Sequence, residues 1–558
     1  MRGARWLTST AGCAVLLACS SQNGKPNGGS GGGEAADPGE RATLFFSTEL
    51  KGQLEPCGCN SDPMGDLART VAMVEKARAS GTPALFFDGG STLYSLEGLP
   101  PEQLAQEKLK VGTLLEILRK KLQVAAIGVG PFDQAGGDGA IEPARQAVNL
   151  PAGSAIPVEA PKVIEAGTVK VGVFGVVGTH AIDGAGDPLA AADRAAAELR
   201  GQGAQVVVAL AHMKREEAVK VARKMKGVDF VLVGQKAPEP GQVSDVALQA
   251  GDAWVFQPGN RGQIVSRIEI GVRPGGGAFA DAGGEPRVAV VERRLAGAKD
   301  ALARAEKDTA ADAAFVKGKK AEVAELEQEL AGWKAKPLQL PAKGSWFTLE
   351  QVRVRKQLAC DTEVVESKRA LDRAAGDGAV AAVKAKGPPP PPKKGEAGYV
   401  GMEECSMCHQ AQVDFWKTTV HAKAWATLVD LGKDRSFDCV GCHVTGWEKP
   451  GGSNLAFNES LRDVQCETCH GPGSLHVEAN GKEKKPTVAR APAIDVCQKC
   501  HTPEHSDTFD FQPYLRDVTG KGHGESFRAK LPAGPTGHEL RAAALEKAGR
   551  EIGEGCAK

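Results

Sequence analysis

Four short runs in the last third of the 558-residue chain carry its clearest chemistry. They read Cys-Ser-Met-Cys-His (405–409), Cys-Val-Gly-Cys-His (439–443), Cys-Glu-Thr-Cys-His (466–470) and Cys-Gln-Lys-Cys-His (497–501). Two thiols at this spacing can each add to one vinyl group of a porphyrin. The His after the second Cys then falls under the iron as an axial nitrogen ligand. The runs therefore assign Cys405, Cys408, Cys439, Cys442, Cys466, Cys469, Cys497 and Cys500 to haem thioethers, and His409, His443, His470 and His501 to proximal iron ligation. Paired C-x-x-C units also make zinc ribbons, but a ribbon brings two pairs to one ion and has no use for a His after every pair. The expectation is four covalently bound haem c groups.

Around these runs lie His421, His476, His505, His523 and His538. Four of them suffice to close the sixth coordination positions, and His538 reads as a solvent-facing residue. Iron held by two His only passes electrons, whereas iron with one keeps a position for a small molecule. So little chain around four porphyrins cannot build a side-chain core first. The haems are expected to be the core, with helices and loops wrapped around them.

Further residues here carry a resemblance. Gly398-Tyr399-Val400-Gly401 before Cys405, Trp416-Lys417, His421, the Val444-Thr445-Gly446 after His443, Gly471 to His476 after His470, and Thr502 to His505 after His501 resemble the tetrahaem cytochrome c-554 family. In nitrifying bacteria those proteins take electrons from hydroxylamine oxidoreductase, so the resemblance implies redox partner proteins. It makes His421 and His476 the first distal candidates, with His505 and His523 next. It allows one five-coordinate haem.

The remaining elements must carry or position this segment. Lys plus Arg and Asp plus Glu are equal at 69 each, which gives no field for nucleic acid. Residues 1–19 have Arg2 and Arg5, an apolar stretch and Leu16-Leu17-Ala18-Cys19. They read as a lipoprotein signal peptide with Cys19 the lipidated residue, the alternative being an ordinary cleaved signal. Residues 20–41, Gly- and Ser-rich, read as a flexible tether. The expected location is the bacterial cell envelope, lipid-anchored at the outer membrane or periplasmic face.

From 42 to 275, β-type runs alternate with amphipathic helical stretches. Strands are expected at 42–48, 84–88, 124–127, 169–177, 206–212, 230–234, 253–257 and 264–272. Helices are expected at 67–79, 102–122, 190–200 and 215–225. Residues 287–336 read as a helical hairpin with coiled-coil packing, or as two solvated helices laid on the lobe. Residues 343–375 read as a return strand and helix, 376–397 as a Pro/Lys-rich linker, 398–525 as the haem domain and 526–558 as a charged tail.

Residues 44–56, Gly65-Asp66-Leu67-Ala68-Arg69, Phe86 to Gly90, Gly128 to Asp133 and Val231 to Gly234 resemble the 5′-nucleotidase/UDP-sugar hydrolase family of calcineurin-like metallophosphoesterases. The resemblance implies a four-layer α/β sandwich. Laid on that family's metal ligands, this chain offers Glu49 and Lys51 in the first motif, Ser91 for a bridging Asp, and Val129 with Gly130 in the third. His212 is kept, while the last pair is Gln235 and Ala237. Two adjacent metal ions need several carboxylates and imidazoles, so the lobe is expected to be non-hydrolytic, with no catalytic residue assigned. Cys57 and Cys59, after the first strand, are left as redox, metal-binding or structural thiols, with a bridge to Cys360 one of the alternatives. The chain as a whole reads as an anchored electron carrier. The alternatives are a haem enzyme acting on a small nitrogen or oxygen species at an open iron, and an active phosphoesterase with an accessory cytochrome.

Overall fold

The computed structural model describes residues 37–558, apart from 57–60, 137–144, 152, 155, 308–311, 483–485, 504 and 549–558. Residues 38–558 form one compact unit. Cys19 with residues 1–36, the Cys57 and Cys59 thiols, and Cys556 therefore lie outside the described residues.

The strands are β1 (Glu40–Ser47), β2 (Ala84–Asp88), β3 (Val124–Ile127), β4 (Arg145–Gln146), β5 (Val158–Glu159), β6 (Lys162–Ala166), β7 (Val169–Val177), β8 (Val206–His212), β9 (Phe230–Val233), β10 (Leu248–Ala250), β11 (Ala253–Phe256), β12 (Ile264–Val272), β13 (Phe279–Asp281) and β14 (Ser345–Arg353). One six-stranded sheet runs β13-β14-β12-β1-β2-β3 and another β10-β11-β9-β8-β7-β6, with β4 and β5 as a separate pair. The helices of this lobe are α1 (Leu67–Ala79), α2 (Pro101–Glu116), α3 (Pro188–Gly201), α4 (Arg215–Ala222), α5 (Gly284–Lys307), α6 (Ala313–Ala335) and α7 (Thr362–Lys386).

Successive side chains of a strand point to opposite faces, and the lobe uses this to make four layers. In β1 and β2, Phe46 and Phe87 join the core between the sheets, while Phe45 and Phe86 face the helices α1, α2 and α7. In β8, Val206, Val208 and Leu210 enter the same inter-sheet core, and Val207, Ala209 and Ala211 face α3 and α4. All seven residues of β8 are buried, which is why it reads as a continuous apolar run rather than an alternating one. The order helix, sheet, sheet, helix is the expected α/β sandwich.

Every strand expected from periodicity is present, and α1 has the expected bounds. The short β4, β5, β6, β10 and β13 are additional. They lie at sheet edges or in a separate pair. The last turn of α2 widens to π geometry over Ile117–Lys121. The expected hairpin is an antiparallel pair, α5 and α6, with Val291, Leu295, Ala298 and Leu326 at its seam.

Two expectations need correction. The helix expected within 343–375 continues as α7 to Lys386, so much of the stretch read as linker is helical; Ala379 and Val383 bury an apolar face there. The stretch read as a tail contains α16 (Gly537–Ala548), which packs on α14 (Phe511–Val518). Among the described residues no helix is long and apolar enough to cross a membrane.

Candidate functional site

The four Cys-x-x-Cys-His runs converge on one cleft of about 3370 Å³, which all twelve of their Cys and His residues line. Pockets for ordinary small ligands measure ~300–1,000 Å³, so this one has room for several porphyrin-sized groups. Its walls are short helices: α8 (Met402–Trp416), α9 (Ala424–Leu431), α10 (Phe437–Val440), α11 (Cys466–His470), α12 (Ser474–Glu478), α13 (Ile494–Cys497), then α14, α15 (Glu525–Arg528) and α16. The α8 helix is broken at His409 (φ −119°, ψ 38°), where the first proximal imidazole leaves it.

Several imidazoles are already set for metal. Nδ1 of His443 donates to the Ala424 carbonyl (2.5 Å), that of His470 to Ala489 (2.6 Å) and that of His523 to Val518 (2.7 Å). Nδ1 of His501 pairs with the Ser506 hydroxyl at 2.9 Å. A proton fixed on Nδ1 leaves the Nε2 lone pair for iron. Burial lowers the pKa of His421. Burial, helped by His421 and Arg541, brings His501 down to about 4. Both shifts favour the neutral, ligating form.

The rings also stand opposite one another. Ring centres are 6.4 Å apart for His409 and His476, 6.2 Å for His501 and His421, and 6.0 Å for His470 and His523. Two imidazoles on one iron, each bonded at about 2 Å through Nε2, place their centres on the order of 6 Å apart. The residues present thus fit haem iron at three positions. Of the expected distal ligands, His421, His476 and His523 are brought to a proximal partner and His505 is not. His505 is exposed, with Nδ1 on Thr502 Oγ1 at 2.8 Å, because the short turn after His501 points it away. His538 is exposed, as expected. Among the described residues no His stands opposite His443.

The sulfurs of the four runs lie against one another. Cys405 is beside Cys466, Cys500 beside Cys442, and Cys469 near Cys497. First lies beside third, third beside fourth, fourth beside second. The surroundings also leave apolar side chains bare: Met407 is 69% exposed and Val420 71%.

Glu467 lies inside the third run and was not singled out from sequence. Its buried carboxylate accepts from the backbone N–H of Val400, Gly401 (2.7 Å) and Gly473 (2.7 Å), tying the start of the segment to its third attachment. An acid between two haem thiols, next to a Gly-Pro-Gly turn, was the available signal.

The sheet-edge positions of the sandwich lie apart from this. Glu49 accepts from the Lys236 and Ala237 N–H groups (3.2 and 2.8 Å) and pairs with the Lys51 ammonium at 3.4 Å. His212 is fully buried. Its Nδ1 donates to the Gly89 carbonyl at 3.0 Å, leaving Nε2 to accept from Ser91 Oγ at 3.3 Å. Val129 is buried, and a Cβ at Gly130 would strike Ser91 and His212. Glu49, Lys51, Ser91 and Lys236 all hold positive φ, a clustering of backbone strain at one edge. Among the described residues no group of three or more His, Cys, Asp or Glu could hold a metal ion. Cys360 is disulfide-bonded.

Comparison with known proteins bears on both parts. Residues 404–471 match the family described as cytochrome c554 and c-prime. Cytochrome c-554 of Nitrosomonas europaea is 40% identical over 94 residues, which is 14% of this chain and 40% of that protein. The chain therefore spans well under half the length of the curated relative it matches. Among solved structures, the 5′-nucleotidase precursor of Thermus thermophilus aligns with a TM-score of 0.39 and 16% identity, over 60% of this chain and 59% of that one. The Thermus thermophilus sulfate thiohydrolase SoxB aligns at 0.40 and 14%, over 61% of each chain. The calcineurin-like phosphoesterase YfkN of Bacillus subtilis aligns at 0.36 and 12%, over 60% and 98%. Residues 404–471 of this chain, which hold the first three of the four runs, are thus matched to the cytochrome c554 family, whose cofactor is covalent haem c.

Proposed function

We propose that the chain is a tetrahaem electron carrier of the bacterial cell envelope, anchored through Cys19, whose α/β lobe does not hydrolyse phosphoesters. The observation that carries this reading is the set of three opposed imidazole pairs at iron-spanning distance. Iron held between the two rings of such a pair would pass electrons and have no position left for substrate. The thiol contacts support a path in the order first, third, fourth, second. Redox proteins are the partners on this reading. His212, with both ring nitrogens in use, and Glu49, neutralised by Lys51, support a silent sandwich.

A second reading is favoured at one position. His443 has no His opposite it among the described residues, so its iron is the place for a small nitrogen or oxygen species. Electron paramagnetic resonance on the holoprotein, with intact mass for haem number, tests both. The expected result is four haems, three low-spin and one high-spin, with His476→Ala converting one low-spin signal to high-spin. Fewer than four haems, or an unchanged spectrum in His476→Ala, overturns the assignment. Nucleotide turnover with manganese or zinc that is lost in His212→Ala would overturn the silent sandwich.

A further inference from the structure

Residues 433–438 run straight into Cys439, and three parts of the α/β lobe end on them. Lys433 reaches the Glu55 carboxylate and both oxygens of Asp372, the latter at 2.8 Å. Lys110 of α2 pairs with Asp438 at 3.1 Å, and Arg435 with Asp377 of α7. Burial works to lower Lys433, but the two carboxylates outweigh it and its pKa is raised. The contact is also close in shape: a Cβ at Gly376 would sit 3.0 Å from the Arg435 side chain. Beside it, Ala379 and Val383 of α7 share one apolar cluster with Phe437, Val440 and Val444.

The same cleft that takes Cys439, Cys442 and His443 is walled at this end by Gln53, Glu55, Gln106, Lys110 and Asp372 of the α/β lobe. Elsewhere between the lobes, Ser61 bonds Asp507 near the fourth run, and Lys386 of α7 pairs with Glu448 at 3.4 Å. The lobe is thus clamped next to the one proximal imidazole with no His opposite it. We propose that the α/β lobe is the access gate of the haem held by Cys439, Cys442 and His443, admitting a small iron-binding ligand through the interlobe end of the cleft. This rests on the reading of His443 as singly ligated. Salt links are suited to such a gate because they hold a defined closed position yet exchange readily for water when the surfaces part.

Carbon monoxide binding to the reduced, full-length holoprotein tests this. Wild type is expected to bind one carbon monoxide per chain. Lys433→Ala, which removes the clamp, and Gly376→Leu, which wedges α7 from Arg435, are each expected to speed association about tenfold by raising the open population, with the low-spin signals unchanged. Association within about twofold of wild type in both variants, the interval left by ordinary surface substitutions, overturns the gate while leaving the singly ligated iron standing. No carbon monoxide binding in wild type or in either variant overturns the gate, and the absence of a high-spin signal in the wild-type holoprotein separately overturns the singly ligated iron. If either variant disturbs the low-spin signals, the near-isosteric Glu55→Gln/Asp372→Asn pair replaces it with the same expected and overturning rates.

Discussion

His212 is a buried imidazole held through both ring nitrogens. The strand places it at the sheet edge, but Gly89 and Ser91 take both ring nitrogens. Burial lowers its pKa below the ordinary value of about 6.5. The unfolded chain therefore takes up a proton near pH 6.5 that the folded lobe refuses. Stability from this residue is full above that pH and is lost as the pH falls through it toward the folded pKa. His212→Asn keeps a donor for Gly89 but does not titrate. In urea unfolding, the loss of stability between pH 7.5 and 5 is expected to be smaller in the variant than in wild type. An equal or larger loss would show that His212 is already charged in the fold.

At the scale of elements, the haem segment is held by polar staples between short helices rather than by helix packing. Glu467 closes three backbone N–H groups from two separate turns. Glu467→Ala leaves them buried without an acceptor and is expected to cost about 3 kcal/mol. Glu467→Gln, which keeps one acceptor oxygen, costs less. Urea titration of the holoprotein, followed by the loss of axial histidine ligation in the haem absorbance, measures both. Equal midpoints for Ala and Gln would mean that the carboxylate is replaceable by water. The α/β lobe differs in kind: its helices are positioned by broad apolar faces, and a single lost hydrogen bond there matters less.

For the molecule as a whole, the two parts have unequal means of standing alone. The sandwich has a core between its sheets and another under each helical layer. The haem segment has one apolar cluster among the described residues, and it borrows Ala379 and Val383 from α7 to complete it. Its folding free energy must come mainly from bound cofactor, as in small domains that fold around a metal. Haem-free protein is therefore expected to give a cooperative melt for the α/β lobe alone, with hydrogen exchange across 398–525 close to that of unfolded chain. Protection of that segment without haem would place its core elsewhere.

Sequence by itself determined the haem attachment runs, because covalent chemistry is local: two thiols and a His must adjoin. It also determined the strand and helix faces of the sandwich, through periods of two and 3.6 residues. Which imidazole stands opposite His409, His470 and His501 is visible only in the tertiary structure, since His421 faces His501 across eighty residues and His505, a few positions from His501, faces none among the described residues. The same holds for the clamp of Lys433 on Glu55 and Asp372. A charged side chain looks like any other surface residue in a sequence, and only the approach of two lobes makes it a contact.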